Sequence, residues 1–350
     1  MIKVKILNPE SSESLGNMCD RNRDYFHKFL LVKDRLRDYS IDITDSDDYD
    51  FLFVGMSDFI NKKIALDESI DRGLENLSKI TGDYFLFDGS DSSSLMGAYE
   101  VFSQSNAIYL LKNQMMRNRE DYNTPYAFGK WFFGSGSDLD LSYDIPEDVW
   151  NRIKLSGVNI AFNRQEQYRQ MPPINKNKSM DIFAVCQYDH PFCEDHKVRN
   201  DLHYTNHRKS AVDMLDNKFS SYTERLPYNE YLQALYNSKV TVSPYGMGEI
   251  CFRDFESMQV GTILIKPDQS KIISKPDVYI ENETYIPCKL DFSDLNEKIQ
   301  YVLDNFNELN EKINLNFRNK FMKEYNPDEL CLYWYNMFSN LSSINKIEEK

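Results

Sequence analysis

The side chains with most chemical potential lie in one run, Val242-Ser243-Pro244-Tyr245-Gly246-Met247-Gly248-Glu249-Ile250-Cys251-Phe252-Arg253-Asp254-Phe255-Glu256. It reads as a strand that ends in a glycine-bearing loop and feeds a helix over Glu249 to Gln259. Glycines at 246 and 248 allow close backbone approach, and free N–H groups at a helix start attract an anion such as a diphosphate. Glu249, Arg253 and Glu256 stand at i, i+4 and i+7, on one helix face, with Cys251, Phe255 and Met258 opposite, packed on a sheet. Arg253 suits a charge-assisted contact to phosphate, and Glu256 can accept from ribose hydroxyls. A salt-bridged solvent stripe would account for the helix, but it has no need of Ser243-Pro244-Tyr245-Gly246 ahead of it.

Other candidates stand elsewhere. Arg208, in Tyr204-Thr205-Asn206-His207-Arg208, either reaches the same phosphates or is a solvated helix arginine. Phe87-Asp88-Gly89-Ser90-Asp91-Ser92 follows a strand and opens a helix predicted over Ser92 to Phe102. Asp91 there is a helix N-cap or, like Asp88, a general base that takes a proton from a hydroxyl nucleophile. Lys112, Arg117 and Arg119 are read as complements to nearby acids rather than as an anion site. The aromatics Tyr122, Tyr126, Phe128, Trp131, Phe132 and Phe133 are read as packing before sugar stacking.

Cys186, His190, Cys193, His196, His203 and His207 crowd together, yet they lack the Cys-x-x-Cys or His-Glu-x-x-His pattern of a metal site. Asp45-Ser46-Asp47 and Asp138-Leu139-Asp140 sit in acidic or irregular surroundings. No metal and no cofactor is expected.

Strand-like and helix-like runs alternate through all 350 residues, the rhythm of parallel sheets covered on both faces. Strands are predicted at Ile2–Leu7, Asp50–Val54, Tyr84–Phe87, Ala107–Leu111, Met180–Val185, Lys239–Val242 and Thr262–Ile265. The polar stretch Asn163 to Ser179 is taken as a linker, which gives an N-terminal Rossmann-like domain over 1–165 and a second over 180–350. A formal charge of −14 opposes general nucleic-acid binding. No apolar run approaches a bilayer span, no secretory signal opens the chain, and the six cysteines form no paired framework. A cytoplasmic protein with reduced thiols is expected.

The run from Ser243 through Arg253 and Glu256 to Gly261 and Lys266-Pro267 resembles the donor-binding segment of GT-B glycosyltransferases, in the style of exostosin-like and related bacterial or viral enzymes. The resemblance covers residues 180 to 345 in element order. It implies two doubly wound α/β domains facing across a cleft, with a nucleotide-diphosphate sugar as co-substrate and a glycan, lipid-linked or protein acceptor. It also implies Glu256 as the glutamate that holds the donor ribose and Arg253 as a phosphate contact; Ser243, Tyr245, Gly246, Gly248, Glu249 and Arg208 are the further candidates for donor binding. In many retaining members a first glutamate precedes the ribose glutamate by eight positions. Here that position is Gly248 and the acid is Glu249, which points to inversion with Asp91 or Asp88 as base. The alternatives on this frame are a non-catalytic nucleotide- or carbohydrate-binding protein, or a nucleotide-sugar hydrolase or epimerase.

Overall fold

Short runs of Val, Ile, Leu and Phe make the strands. The structure, a computed structural model, describes residues 1–7, 29, 31–56, 66–95, 97–123, 142–186, 206–246 and 248–348. The strands are β1 (Ile2–Leu7), β2 (Ile41–Thr44), β3 (Phe51–Gly55), β4 (Tyr84–Asp88), β5 (Tyr109–Lys112), β6 (Gln114–Met116), β7 (Ile153–Leu155), β8 (Met180–Phe183), β9 (Ser221–Tyr222), β10 (Ser238–Val242), β11 (Ile263–Pro267), β12 (Ile272–Ser274) and β13 (Ile286–Cys288).

One sheet runs β2-β1-β3-β4-β5-β7 and a second β13-β11-β10-β8-β9, both entirely parallel. In each, the first strand lies between the second and the third, so the winding reverses once. The expectation of two doubly wound α/β units holds. Ligands bind such sheets outside the carboxyl ends of the strands at the reversal, here between β8 and β10.

Side chains alternate across a strand, and both faces of β3 are covered. Leu52 and Val54 pack with Ile70, Leu77, Val101 and Phe102. Phe51 and Phe53 meet the last helix, Pro327–Glu348, through Phe338 and Trp334 at centroid separations of 5.1 and 5.2 Å. The chain therefore returns from the second sheet to close the first.

Residues 163–179 connect the sheets, but part of this stretch belongs to the core. Tyr168 ends the Gln165–Tyr168 turn of helix and stacks on Phe255 at 5.8 Å, edge-on to Phe321. Its aromatic ring outweighs the polar composition around it. A third, antiparallel pairing of β6 with β12 ties the two units directly.

Two helices start later than the sequence suggests. The one expected from Ser92 begins at Ala98, because Ser92 and Ser94 bond to each other instead of opening a helix, and Gly97 is the cap. Asp91 is thus no N-cap. The one expected from Glu249 begins at Phe252, where Cys251 and Asp254 form a reciprocal cap. Glu249 therefore lies before the helix and leaves the face shared by Arg253 and Glu256.

Cys186, Cys251, Cys288 and Cys331 are free thiols, while Cys19 and Cys193 lie outside the described residues. No described helix is long and apolar enough to cross a membrane.

Candidate functional site

The loop leaving β10 is built on a buried ion pair. Asp254, in the first turn of the Phe252–Val260 helix, faces Lys266 of β11 at 2.5 Å, both fully buried. Four donors satisfy the Asp254 carboxylate: Lys266 Nζ, the Ser243 hydroxyl at 2.6 Å, the Tyr279 hydroxyl at 2.6 Å and the Cys251 N–H at 3.1 Å. Lys266 also donates to the Glu249 carbonyl at 2.7 Å. The pair thereby joins strand end, turn and helix start in one network, which desolvation makes costly to break singly.

Above it, Tyr245 is buried, its hydroxyl held by Gln269 at 2.9 Å. Its N–H donates to His207 Nε2 at 3.2 Å, and its carbonyl accepts from Arg208 Nε at 3.0 Å. Burial, with the Arg208 charge beside it, lowers the His207 pKa to about 3, so the ring is neutral and can accept. The Gly246 N–H donates to the Gly248 carbonyl at 2.9 Å. The turn amides at 245 and 246, and those of Cys251 and Asp254 at the helix start, are thus bonded within the protein. The sequence reading has them open to an anion, because His207, the partner of the Tyr245 N–H, comes from a helix far off in sequence.

Gly248 has another use. A Cβ there would lie 1.3 Å from the Asp91 carbonyl oxygen, so only glycine lets the second unit's turn touch the first unit's loop. Next to it, Glu249 is 2% exposed. Its carboxylate accepts from the Ser93 N–H at 3.0 Å, the Ser93 hydroxyl at 2.8 Å and Gln114 Nε2.

Arg253 and Glu256 stay together on the helix. The half-buried Arg253 donates to the Ser243 hydroxyl at 3.3 Å, and its Nε is buried with no hydrogen-bond partner among the described residues. Burial opposes the Arg253 charge, but Cys186, Tyr231, Cys251 and Asp254 around it more than offset this and raise its pKa. Cys186 follows β8 and Ser243 follows β10, so this guanidinium stands at the reversal of the sheet.

Glu256 accepts from the Tyr231 hydroxyl at 2.9 Å and lies 3.8 Å from Arg164, and burial raises its carboxyl pKa. It lines a cavity of about 640 Å³ with Arg225, Leu226, Pro227, Tyr228 and Tyr231. Residues 223–227, which carry three of these side chains, join β9 to the Tyr228–Asn237 helix.

In the first unit, Asp88 ends β4 and pairs with the buried Lys112 at 2.5 Å, while it accepts from the Ser90 N–H. Lys112 also donates to the Ser94 carbonyl at 2.6 Å. Asp91 is partly exposed, and its carbonyl accepts from Gln114 Nε2 at 2.7 Å. Arg117 binds the Ser270 carbonyl at 2.9 Å and Arg119 lies 3.6 Å from Glu120, so the basic patch is dispersed. Tyr122 is buried and bonded to the Ser93 carbonyl. Tyr126, Phe128, Trp131, Phe132, Phe133, Asp138, Asp140, His190, His196, His203 and Met247 lie outside the described residues. No cluster suited to a metal ion occurs among the described residues.

The sequence reading gave no role to Asp254, Lys266, Tyr231, Arg225, Ser93 or Gln114. Asp254 and Lys266 stood inside the quoted run, and their separation of one helix and one strand was a signal of pairing. Ser93 and Gln114 lie far from Glu249 in sequence and gave none.

No family model matches the chain, and no curated protein matches it. Among solved structures it is similar to sucrose-phosphate synthase from Thermosynechococcus elongatus, with 13% identity and a TM-score of 0.45 over 95% of this chain and 82% of that one. It is similar to Anabaena HepE in complex with UDP, with 9% identity and a TM-score of 0.43 over 97% and 100%. It is also similar to an alpha-glucosyltransferase in complex with UDP and a DNA 13-mer, with 8% identity and a TM-score of 0.46 over 97% and 99%.

Proposed function

We propose that the chain is a glycosyltransferase that moves a sugar from a nucleotide-diphosphate sugar to an acceptor hydroxyl. One observation carries this reading. Arg253, with a buried donor unpartnered among the described residues, sits at the sheet reversal one helical turn from Glu256, which lines the cavity. A guanidinium suits the diphosphate and a carboxylate the ribose diol. A cavity of about 640 Å³ has room for a base between Arg225, Tyr228 and Tyr231. The turn of Ser243, Tyr245, Gly246 and Gly248 would then flank the sugar, with Arg208 behind it, while the Glu249 carboxylate is turned to the first unit.

In the transfer, the acceptor oxygen bonds to the anomeric carbon as the carbon–oxygen bond to the diphosphate breaks. Charge develops on the leaving diphosphate, where Arg253 stabilises it without a metal ion. The acceptor proton goes to a carboxylate, for which we favour Asp91 in an inverting reaction. Asp88, paired with Lys112, orders the loop that carries it.

A thermal-shift screen against UDP, GDP, CDP, ADP and dTDP tests the reading. One nucleotide should stabilise the protein, equally with and without EDTA. Arg253→Ala should abolish most of that shift and lower turnover by about 2–4 kcal/mol of transition-state stabilisation. No shift with any nucleotide, or wild-type turnover in the variant, would refute it.

A further inference from the structure

Glu249 is placed as no surface or ligand-binding acid needs to be. Its carboxylate belongs to the second unit but, among the described residues, takes its three donors from the first: the Ser93 N–H, the Ser93 hydroxyl and Gln114 Nε2. Gln114 Nε2 also donates to the Asp91 carbonyl at 2.7 Å, so one amide bridges the two acids' segments. Gln114 is itself held by the strand pair across the units, where it stands opposite Ser274. At the adjacent position, Gly248 meets the Asp91 carbonyl in a contact that excludes any Cβ. Lys266, from below, ties the Glu249 carbonyl to the same network that holds Ser243 and Asp254.

From this arrangement we infer that Glu249 is a positioning residue: it clasps the loop of Asp91 against the turn after β10. The inference rests on the proposed transfer reaction, since it gives the clasp a purpose. A base on one unit and a donor site on the other need a fixed spacing, and small misplacement of reacting groups slows a reaction strongly. Three hydrogen bonds to a buried carboxylate, centred between the two, supply that spacing without contact to the donor.

The test compares wild type with Glu249→Gln, Glu249→Ala and Ser93→Ala. Binding of UDP, GDP, CDP, ADP and dTDP is measured by calorimetry. Turnover is followed as nucleotide release from the sugar form of whichever diphosphate binds, and loop order by amide hydrogen exchange at Ser93 and Ser94. Glu249→Ala should bind the nucleotide with unchanged affinity and unchanged KM, while kcat falls by about tenfold to a hundredfold. Exchange at Ser93 should quicken by about tenfold or more. Glu249→Gln, which can still accept a hydrogen bond, should recover part of kcat. Ser93→Ala, the mildest change, should fall between wild type and Glu249→Ala, and keeps the test usable if the larger truncation fails to fold.

Wild-type kcat in Glu249→Ala overturns the inference. So does a loss of nucleotide affinity that matches the loss of turnover, which would make Glu249 a donor ligand. If the wild type binds no nucleotide, the transferase reading itself has failed. Unchanged exchange at Ser93 would show separately that no clasp exists.

Discussion

Protonating His207 would remove the acceptor for the Tyr245 N–H and set a second cation beside Arg208. The sign of the resulting pH dependence follows from the two states. In the folded chain the ring resists protonation down to about pH 3, whereas the unfolded chain takes up the proton near 6.5. The stabilising difference is whole above 6.5 and is lost as pH falls towards 3, at about 1.4 kcal/mol per unit. Between pH 7 and pH 5 the loss should reach about 2 kcal/mol. Glu256 acts in the opposite sense, because its raised pKa removes stability as pH rises from the unfolded carboxyl value. Comparing wild type with His207→Gln cancels that contribution. Urea midpoints at the two pH values should show the loss in wild type and its absence in the variant. Equal losses in both would mean that another group governs acid sensitivity.

The helix and strand behind the turn are joined by Asp254 and Lys266, and the pair matters more than either member. Lys266→Met leaves a buried carboxylate without its cation and should cost about 3–5 kcal/mol in urea unfolding. Adding Asp254→Asn should recover much of that, since the uncompensated charge disappears. Additive losses would show that the two do not act as a unit. This element scale is also where the sequence spoke most clearly. β3 and β4 are continuous apolar runs because both faces of the sheet are covered, and they were placed within a residue or two. β2, β7 and β9 went unseen because edge strands are short and need little apolar sequence. At the site, the strand–loop–helix order and the Arg253–Glu256 spacing were legible from local periodicity. The reason for Gly248 was not, because it lies in the carbonyl of Asp91, on the other unit. The helix face assigned to Glu249 was wrong for a related reason: Cys251 and Asp254 cap the helix after it.

Over the whole molecule, one apolar cluster runs from Val4, Phe51 and Phe85 through Phe162 and Tyr168 to Phe255, Leu264 and Phe321. The last helix enlarges it. Phe338 lies against Phe51, Phe53 and Phe85, and Trp334 packs on Phe29 at 4.9 Å. The β6–β12 pair and the Glu249 clasp add polar ties across the same boundary. Two sheets with separate cores would melt independently, as the usual small, polar interface between domains allows. A shared core removes that freedom, because neither sheet keeps its buried surface once the other has opened. Calorimetry should therefore record a single transition. Phe338→Ala, although confined to the face of the first sheet, should shift that whole transition down by the equivalent of about 3–5 kcal/mol. Tryptophan fluorescence, to which Trp334 and Trp150 packed against the first unit contribute alongside Trp131, should change in step with the far-ultraviolet signal of both sheets. Two transitions, with only the first-sheet one moved by Phe338→Ala, would show that the cluster is contiguous in space but not in energy.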